Sequence, residues 1–286
     1  MFQIGDISIH IINDSTIKAD AGGAFGLVPR TLWSSLMPPD ENNLVPMNHH
    51  CLLVQAGGQN IVIDAGYGDK LTDKQKNFLQ FQRPQGSLVD ALARLNLNPA
   101  DIHLVIDTHL HNDHVGGNTR YDETGNIVPV FPNAEYVVQR REFEDAMKPN
   151  ERTRATYFPF NYQSLVESGQ MKLLDGDTEI AAGIRGHVTR GHTPAHMSIC
   201  IESNGQHAMF TCDMATYALH FERLGWMTAY DVEPLETLET KRRWQQWALE
   251  TKSLLIFPHD PRRPAGHLVQ GEAGKVEVQP VEVTFL

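Results

Sequence analysis

The sequence predicts an α/β fold in which two similar halves form one four-layer sandwich. Three observations lead there. The chain has 286 residues, 41% of them hydrophobic, a length and composition that supply a sizeable core for one large domain or two small ones. Each half reads as short apolar strands accompanied by helices. No linker or low-complexity stretch separates the halves, so residues 1–286 are expected to form a single domain.

The elements follow in order. Residues 2–4 and 7–12 flank Gly5-Asp6, a short hairpin signal. Residues 19–48 mix polar and apolar side chains around Gly22-Gly23, Pro29, Pro38-Pro39 and Pro46. That segment is too long for a plain connector and is expected to cover something. Residues 51–56 and 61–64 flank Gly57-Gly58-Gln59-Asn60, a second hairpin. Ser87 is placed as the N-cap of a helix over 87–95, in which Leu88, Leu92 and Leu95 recur at helical spacing. Residues 102–107 form a short apolar strand that runs into a group of histidines. In the second half, 135–139 reads as a strand, 140–147 as a helix and 150–162 as an aromatic loop. Residues 179–188, 196–202 and 207–212 read as strands. Pro234 opens a long helix reaching about Glu250, as proline is favoured in a first turn. Residues 253–257 form a final buried strand ending at Pro258-His259-Asp260.

Bulk properties exclude several roles. The formal net charge of -11 argues against nucleic acid or anionic lipid as a partner. No run of about eighteen apolar residues marks a transmembrane helix. Met1-Phe2-Gln3-Ile4-Gly5-Asp6 has neither a basic region nor an apolar signal core, so a cytoplasmic location is expected. Cys51, Cys200 and Cys212 form no C-x-x-C pair, and each lies in an apolar run. They are expected to be buried and reduced.

The chemistry concentrates in Thr108-His109-Leu110-His111-Asn112-Asp113-His114-Val115-Gly116-Gly117-Asn118. Four metal-capable side chains fall within six residues. An extended backbone sends His109 and His111 to one face, and a following turn swings Asp113 and His114 to a neighbouring point. Gly116-Gly117 permits tight backbone geometry behind them. A solvated polar loop would explain one histidine but not this spacing after an apolar strand. Two adjacent metals sharing the run is more economical than one tetrahedral site. His192, Asp213 and His259 supply the missing ligands, because each sits where an apolar strand gives way to a loop. Seven ligands, one a bridging carboxylate, make two sites with room for a shared water.

This H-x-H-x-D-H run resembles that of the metallo-β-lactamase superfamily. Gly191-His192-Thr193-Pro194, Asp213 and His259 come in the family's order, and Asp64 resembles its early strand-end aspartate. The resemblance covers roughly residues 50–260 and implies an αββα sandwich with the metals at one edge. By the same analogy one metal takes His109, His111 and His192, the other takes Asp113, His114 and His259, and Asp213 bridges. Within the superfamily the chain is most similar to the lactonase and methyl parathion hydrolase branch, through His-Leu-His at 109–111, Asp-His-Val-Gly-Gly-Asn at 113–118 and the long N-terminal lead-in. It departs in one respect. Lactonases of that branch carry a tyrosine three residues after the bridging aspartate, where this chain has Thr216; Tyr217 and His220 are the candidates to replace it.

The expected cofactor is a pair of divalent transition-metal ions, zinc first, with manganese, cobalt or iron as alternatives. Two metals sharing a water lower its pKa enough to supply hydroxide at neutral pH. Asp113, beside that water, accepts or relays the proton. The expected reaction is opening of a lactone or cleavage of a carboxylic ester, with phosphotriester hydrolysis as a side activity. The alternatives are a dedicated organophosphate hydrolase, a thioesterase or a β-lactamase. Outside hydrolases, an iron persulfide dioxygenase would leave His259 superfluous. A nuclease is disfavoured by the charge, and a binding module would have lost ligands.

The remaining histidines receive plainer roles. His196 is expected to support the ligands from behind, and Asp64 to organise the metal loops. His49, His50, His187, His207 and His267 lack a ligand pattern and are assigned to the surface or the core. Strand alternation should turn Cys212 away from the metals. Three apolar segments, 25–47, 157–162 and 217–227, are expected to wall a hydrophobic pocket over the metals or, failing that, a core or homodimer contact. Trp33, Phe158, Phe221 and Trp226 are the substrate-binding candidates for a small apolar ester or lactone.

Overall fold

The computed structural model describes residues 1–271 and 274–286. The first half supplies β1 (Phe2–Ile4), β2 (Ile7–Asp20), β3 (Leu44–Ala56), β4 (Gln59–Ile63), β5 (Leu104–Ile106), β6 (Thr119–Tyr121), β7 (Ile127–Pro129), β8 (Glu135–Gln139) and β9 (Met171–Leu174). The second supplies β10 (Thr178–Ala181), β11 (Ile184–Val188), β12 (Met197–Ser203), β13 (Gln206–Phe210), β14 (Leu254–Ile256), β15 (Ala265–Gln270) and β16 (Val276–Pro280). One seven-stranded sheet runs β1-β2-β3-β4-β5-β8-β9 and the other runs β10 to β16 in sequence order, while β6 and β7 pair apart.

Three apolar clusters stack these sheets into the four-layer α/β sandwich. Ile9, Leu52, Ile63 and Ile106 of the first sheet meet Ile199, Phe210 and Ile256 of the second in the central cluster. The other face of the first sheet, including Val62, Val105 and Val138, packs on Leu88 and Leu92 of helix Leu88–Arg94 and on Leu165 of helix Gln163–Glu167. The outer face of the second sheet, including Met209 and Leu255, packs on Trp244 and Ala248 of helix Pro234–Thr251. Leu104-Val105-Ile106 and Leu254-Leu255-Ile256 are apolar throughout because both faces of each strand are covered.

Local chemistry sets several boundaries as the sequence suggests. Ser87 and Asp90 form a reciprocal capping box on helix Leu88–Arg94. Gly5 turns β1 into β2 with φ +53, and a Cβ there would meet Ser203 backbone. The parallel strands β4, β5 and β8, and β13 and β14 in the other sheet, deliver their carboxyl ends to one edge, where α/β sheets commonly place ligands.

Elsewhere the structure differs from the sequence reading. Residues 19–48 are not a free covering segment. β2 and β3 stay paired from Ser8↔Gln55 to Asp20↔Leu44, and only the tip between them carries the short helices Ala21–Phe25 and Arg30–Trp33. The polar run Asn13-Asp14-Ser15-Thr16 hid this extension, and a register shift sits there, between Asn13 and Ser15. Residues 179–188 are two strands turned at Gly183 rather than one. β13 stops at Phe210, so Cys212 lies in a 3-10 turn with φ +44.

Candidate metal centre

Asp64 ends β4 in the left-handed region, φ +55. Its carboxylate accepts the Thr108 N–H and hydroxyl, both at 2.9 Å, and the His114 Nδ1–H at 2.9 Å. One residue thus ties the histidine loop after β5 to the end of β4. Glu142, fully buried, does the same from helix Arg140–Met147: it accepts Leu110 N–H at 3.0 Å, Tyr157 hydroxyl at 3.1 Å and Thr193 hydroxyl at 2.5 Å. Asp113 and His114 project from the single helical turn Asn112–Val115. Gly116 and Gly117 are dictated by close approach, since a Cβ would fall 2.2 Å from the Tyr67 and Ala65 carbonyl oxygens respectively.

The seven ligand candidates converge. His109 and His111 rings lie 4.5 Å apart, and His192 Nε2 is 3.0 Å from His111 Nδ1. Asp213 is central: its Oδ2 lies 3.7 Å from His109 Nε2, 3.3 Å from His192 Nε2 and 3.2 Å from His114 Nε2, and its Oδ1 lies 3.2 Å from His259 Nε2. Asp113 Oδ2 is 3.5 Å from His114 Nε2 and 3.7 Å from His259 Nε2. The outer nitrogens are anchored: His192 Nδ1–H donates to Asp231 at 3.0 Å and His259 Nδ1–H to the Asn48 carbonyl at 2.6 Å. Anchoring of this kind fixes the ring so that the other nitrogen faces a metal.

The donor set fits divalent transition metals. His109 Nε2 is buried among these groups with no hydrogen-bond partner among the described residues. Two ligands about 2.1 Å from one tetrahedral ion stand about 3.4 Å apart, which matches the spacing. Burial and the neighbouring histidines hold His109 and His111 well below the usual histidine pKa. Burial would raise Asp213, but His259 and His192 hold it well below the carboxylate range. Burial would lower His192 and His114 too, but Asp213 and Asp231 raise His192, and Cys212 and Asp113 raise His114, so a cation entering this cluster displaces protons from those two rings.

Other groups resolve by their partners. His196 uses both nitrogens, Nδ1 with Thr189 hydroxyl at 2.8 Å and Nε2 as acceptor of Asp213 N–H at 3.0 Å. It therefore buttresses Asp213 rather than facing a metal. His50 is likewise spent on Phe257 O and Asn48. Cys212 is not turned away from the cluster as alternation implied. Its thiol lies behind the rings, 3.8 Å from His109 Nδ1 and 3.6 Å from His114 Nδ1, because the turn replaces the strand. His49, assigned from the sequence to the surface or the core, is buried with Nδ1 3.2 Å from Ser15 hydroxyl and Nε2 3.6 Å from Asp113 Oδ2.

A cavity of about 500 Å³ opens onto His111, Asp113, His192, Asp213 and His259. Its apolar wall comes from Ile17, Leu44, Met47, Phe78 and Leu79, with Tyr67, Thr216 and Tyr230 beside the cluster. Trp33, Phe158, Phe221 and Trp226 do not line it, contrary to expectation. Trp33 stacks on Phe25 at 4.7 Å, Phe221 is buried with Phe257 and Trp244, Trp226 packs against the Phe25 cluster, and Phe158 borders a separate small cavity with Lys70. The aromatic rings satisfy one another instead. Tyr217 and His220 are also behind the wall, buried, with the Tyr217 hydroxyl and both His220 nitrogens lacking partners among the described residues. A larger cleft of about 780 Å³, edged by Arg223, Arg262 and Arg263, contains none of the seven candidates. Asp231, Glu142, Thr216 and Tyr230 were missed because no local pattern marks residues that meet the site only through the fold.

Known proteins share this architecture. A sequence profile of the metallo-beta-lactamase superfamily matches residues 44–263. An N-acyl homoserine lactonase from Bacillus sp is 26% identical over 244 residues, covering 82% of this chain and 88% of the lactonase. A probable metal-dependent hydrolase from Staphylococcus aureus superposes with a TM-score of 0.86 at 32% identity, over 99% of this chain and all of that one. AidC, a dizinc quorum-quenching lactonase solved with a homoserine product, superposes at 0.80 with 18% identity, over 99% and 97%.

Proposed function

The chain belongs to the metallo-beta-lactamase superfamily, and on that premise we propose that this metal-dependent hydrolase opens lactones carrying an apolar acyl chain, such as N-acyl homoserine lactones. The observation that carries the reading is the apolar wall of Ile17, Leu44, Met47, Phe78 and Leu79 meeting the donor cluster in one cavity. Apolar sites with a few convergent polar groups suit such substrates. The lactonase relatives support the same substrate class.

In this reading residues 1–286 work as a single domain. His109, His111 and His192 would hold one divalent ion, Asp113, His114 and His259 a second, and Asp213 both, with zinc the first choice. Such ions, when bound, make water acidic enough to act as a nucleophile at neutral pH and polarise the carbonyl under attack. The protein's own groups do the rest. Asp113, partly open to the cavity with a side chain 23% exposed, takes the proton on the carboxylate oxygen not turned to the cluster. Thr216 donates to Asp213 Oδ1 at 3.2 Å and fixes that carboxylate. Tyr230, on the cavity wall, takes the substrate-facing role for which Tyr217 and His220 are too deeply buried. The apolar wall excludes water around the acyl chain.

The test is a substrate panel on purified, metal-replete protein: short and long acyl-homoserine lactones, aryl esters, a paraoxon-type triester, a cephalosporin and S-lactoylglutathione. Lactones should be turned over best, and longer acyl chains should lower KM. Turnover confined to the triester would move the assignment to organophosphate hydrolysis, and turnover confined to the thioester or cephalosporin would remove the lactone reading.

A further inference from the structure

We propose that His49 is an additional protein ligand of the second metal site, alongside Asp113, His114 and His259. The inference rests on the dinuclear reading above and adds a donor to it.

His49 repeats the pattern of the ligand candidates. His109, His114, His192 and His259 each hold the outer Nδ1 against a fixed partner and turn Nε2 inward. His49 does likewise: Nδ1 meets the Ser15 hydroxyl at 3.2 Å, and Nε2 is buried with no hydrogen-bond partner, as is His109 Nε2. His196 and His50, buried nearby, spend both nitrogens on hydrogen bonds and have none to offer. The inward nitrogen of His49 lies 3.6 Å from Asp113 Oδ2, which is 3.7 Å from His259 Nε2. One ligand atom from each of His49, Asp113 and His259 falls within 4.8 Å of the others. The distance to Asp113 is too long for a hydrogen bond and close to the spacing of two ligands on one ion.

The backbone accounts for the aim. Ser15 pairs with His49 immediately after the register shift between Asn13 and Ser15. Bulges of this sort re-aim side chains beside active sites. Tyr67 holds the ring from its edge at 4.7 Å between centroids. With His49 the second site gathers four side chains of its own plus shared Asp213. Such a set accommodates five-coordinate zinc as well as manganese, iron or cobalt, which accept five or six ligands.

Cobalt titration of the metal-free full chain tests this, comparing wild type with His49→Ala and with His196→Ala. The expected result is two ions in wild type, with His49→Ala weakening one of them at least tenfold and leaving the other unchanged. The visible absorption of the weakened site should intensify, because cobalt absorbs more strongly as its coordination number falls. His196→Ala should not reproduce that spectral change. Two ions bound by His49→Ala with unchanged affinity and spectrum overturn the role of His49 and leave the dinuclear reading standing. Wild type that binds a single ion overturns both. Should His49→Ala not fold, proton NMR of cobalt-loaded wild type decides. One more shifted imidazole N–H than the five assigned histidines supply supports the proposal, and no such signal overturns it.

Discussion

Replacing Asp231 by alanine should weaken metal binding from a position that touches no metal. The buried carboxylate accepts three hydrogen bonds: His192 Nδ1–H at 3.0 Å, Thr228 hydroxyl at 2.7 Å and Thr237 hydroxyl at 2.8 Å. Loss of the first frees the His192 ring to turn. Removing such an outer partner costs about 10- to 100-fold in metal affinity, or about 1.4–2.7 kcal/mol. The other two bonds set the effect on the metal-free fold. A buried hydroxyl left without an acceptor costs about 1–3 kcal/mol. Thr237 keeps a weak alternative in the Glu233 carbonyl at 3.4 Å; Thr228 has no other acceptor among the described hydrogen bonds. The metal-free variant should therefore lose about 2–4 kcal/mol in total. Asp231→Asn, which keeps the shape and one carbonyl acceptor, should lose less of both. Competitive chelator titration and urea denaturation of metal-free protein read the two effects separately. Affinity within twofold of wild type in Asp231→Ala would refute the claim that Asp231 positions a ligand.

Three further outcomes follow from the same geometry. Tyr230→Phe should lower kcat for lactones by about tenfold or more, in the range of a lost transition-state hydrogen bond, whereas Tyr217→Phe should leave kcat near wild type; the reverse pattern in steady-state kinetics would return the role to Tyr217. Phe78→Ala, at an exposed rim position of the cavity, should raise KM for long acyl lactones more than for short ones, each lost methylene contact contributing up to about 0.8 kcal/mol; equal effects on both would take the acyl chain elsewhere. Lys241 is buried, donates to the His220 and Trp226 carbonyls, and burial lowers its pKa from 10.5 to about 8. Between pH 8 and 10.5 the unfolded chain holds the proton that the folded chain has released, so stability attributable to Lys241 rises with pH, by up to about 3 kcal/mol. Denaturation across that range should show the rise in wild type and lose it in Lys241→Met.

The site was legible where the chain concentrates it. Four donors within six residues at 109–114 announce themselves as candidates, and His192, Asp213 and His259, which the fold brings to the same cluster, each follow an apolar strand. The four-layer arrangement was legible through the family resemblance, and the apolar runs Leu104-Val105-Ile106 and Leu254-Leu255-Ile256 agree with it as strands buried on both faces. What failed was anything needing two distant segments to be placed together. Asp231 meets His192 across 39 positions, and His49, on β3, meets Asp113, which follows β5. Apolar loop residues misled for a physical reason: Trp33 and Phe221 gain more by closing on Phe25 and Phe257 than by waiting for a substrate. The apolar wall comes from β2 and β3, through Ile17, Leu44 and Met47, and from the helix Asp73–Leu79, through Phe78 and Leu79; polar residues 13–16 disguised the extension of β2. Cys212 was misdirected by a strand that ends two residues earlier than its apolar pattern.

Anomalous X-ray diffraction from crystals of the metal-replete protein, measured on both sides of the metal's absorption edge, locates each bound ion and so decides whether the cluster is dinuclear. Two peaks flanking Asp213 are expected, one among His109, His111 and His192, the other among Asp113, His114 and His259. A single peak, or one centred between His196 and Cys212, would contradict it.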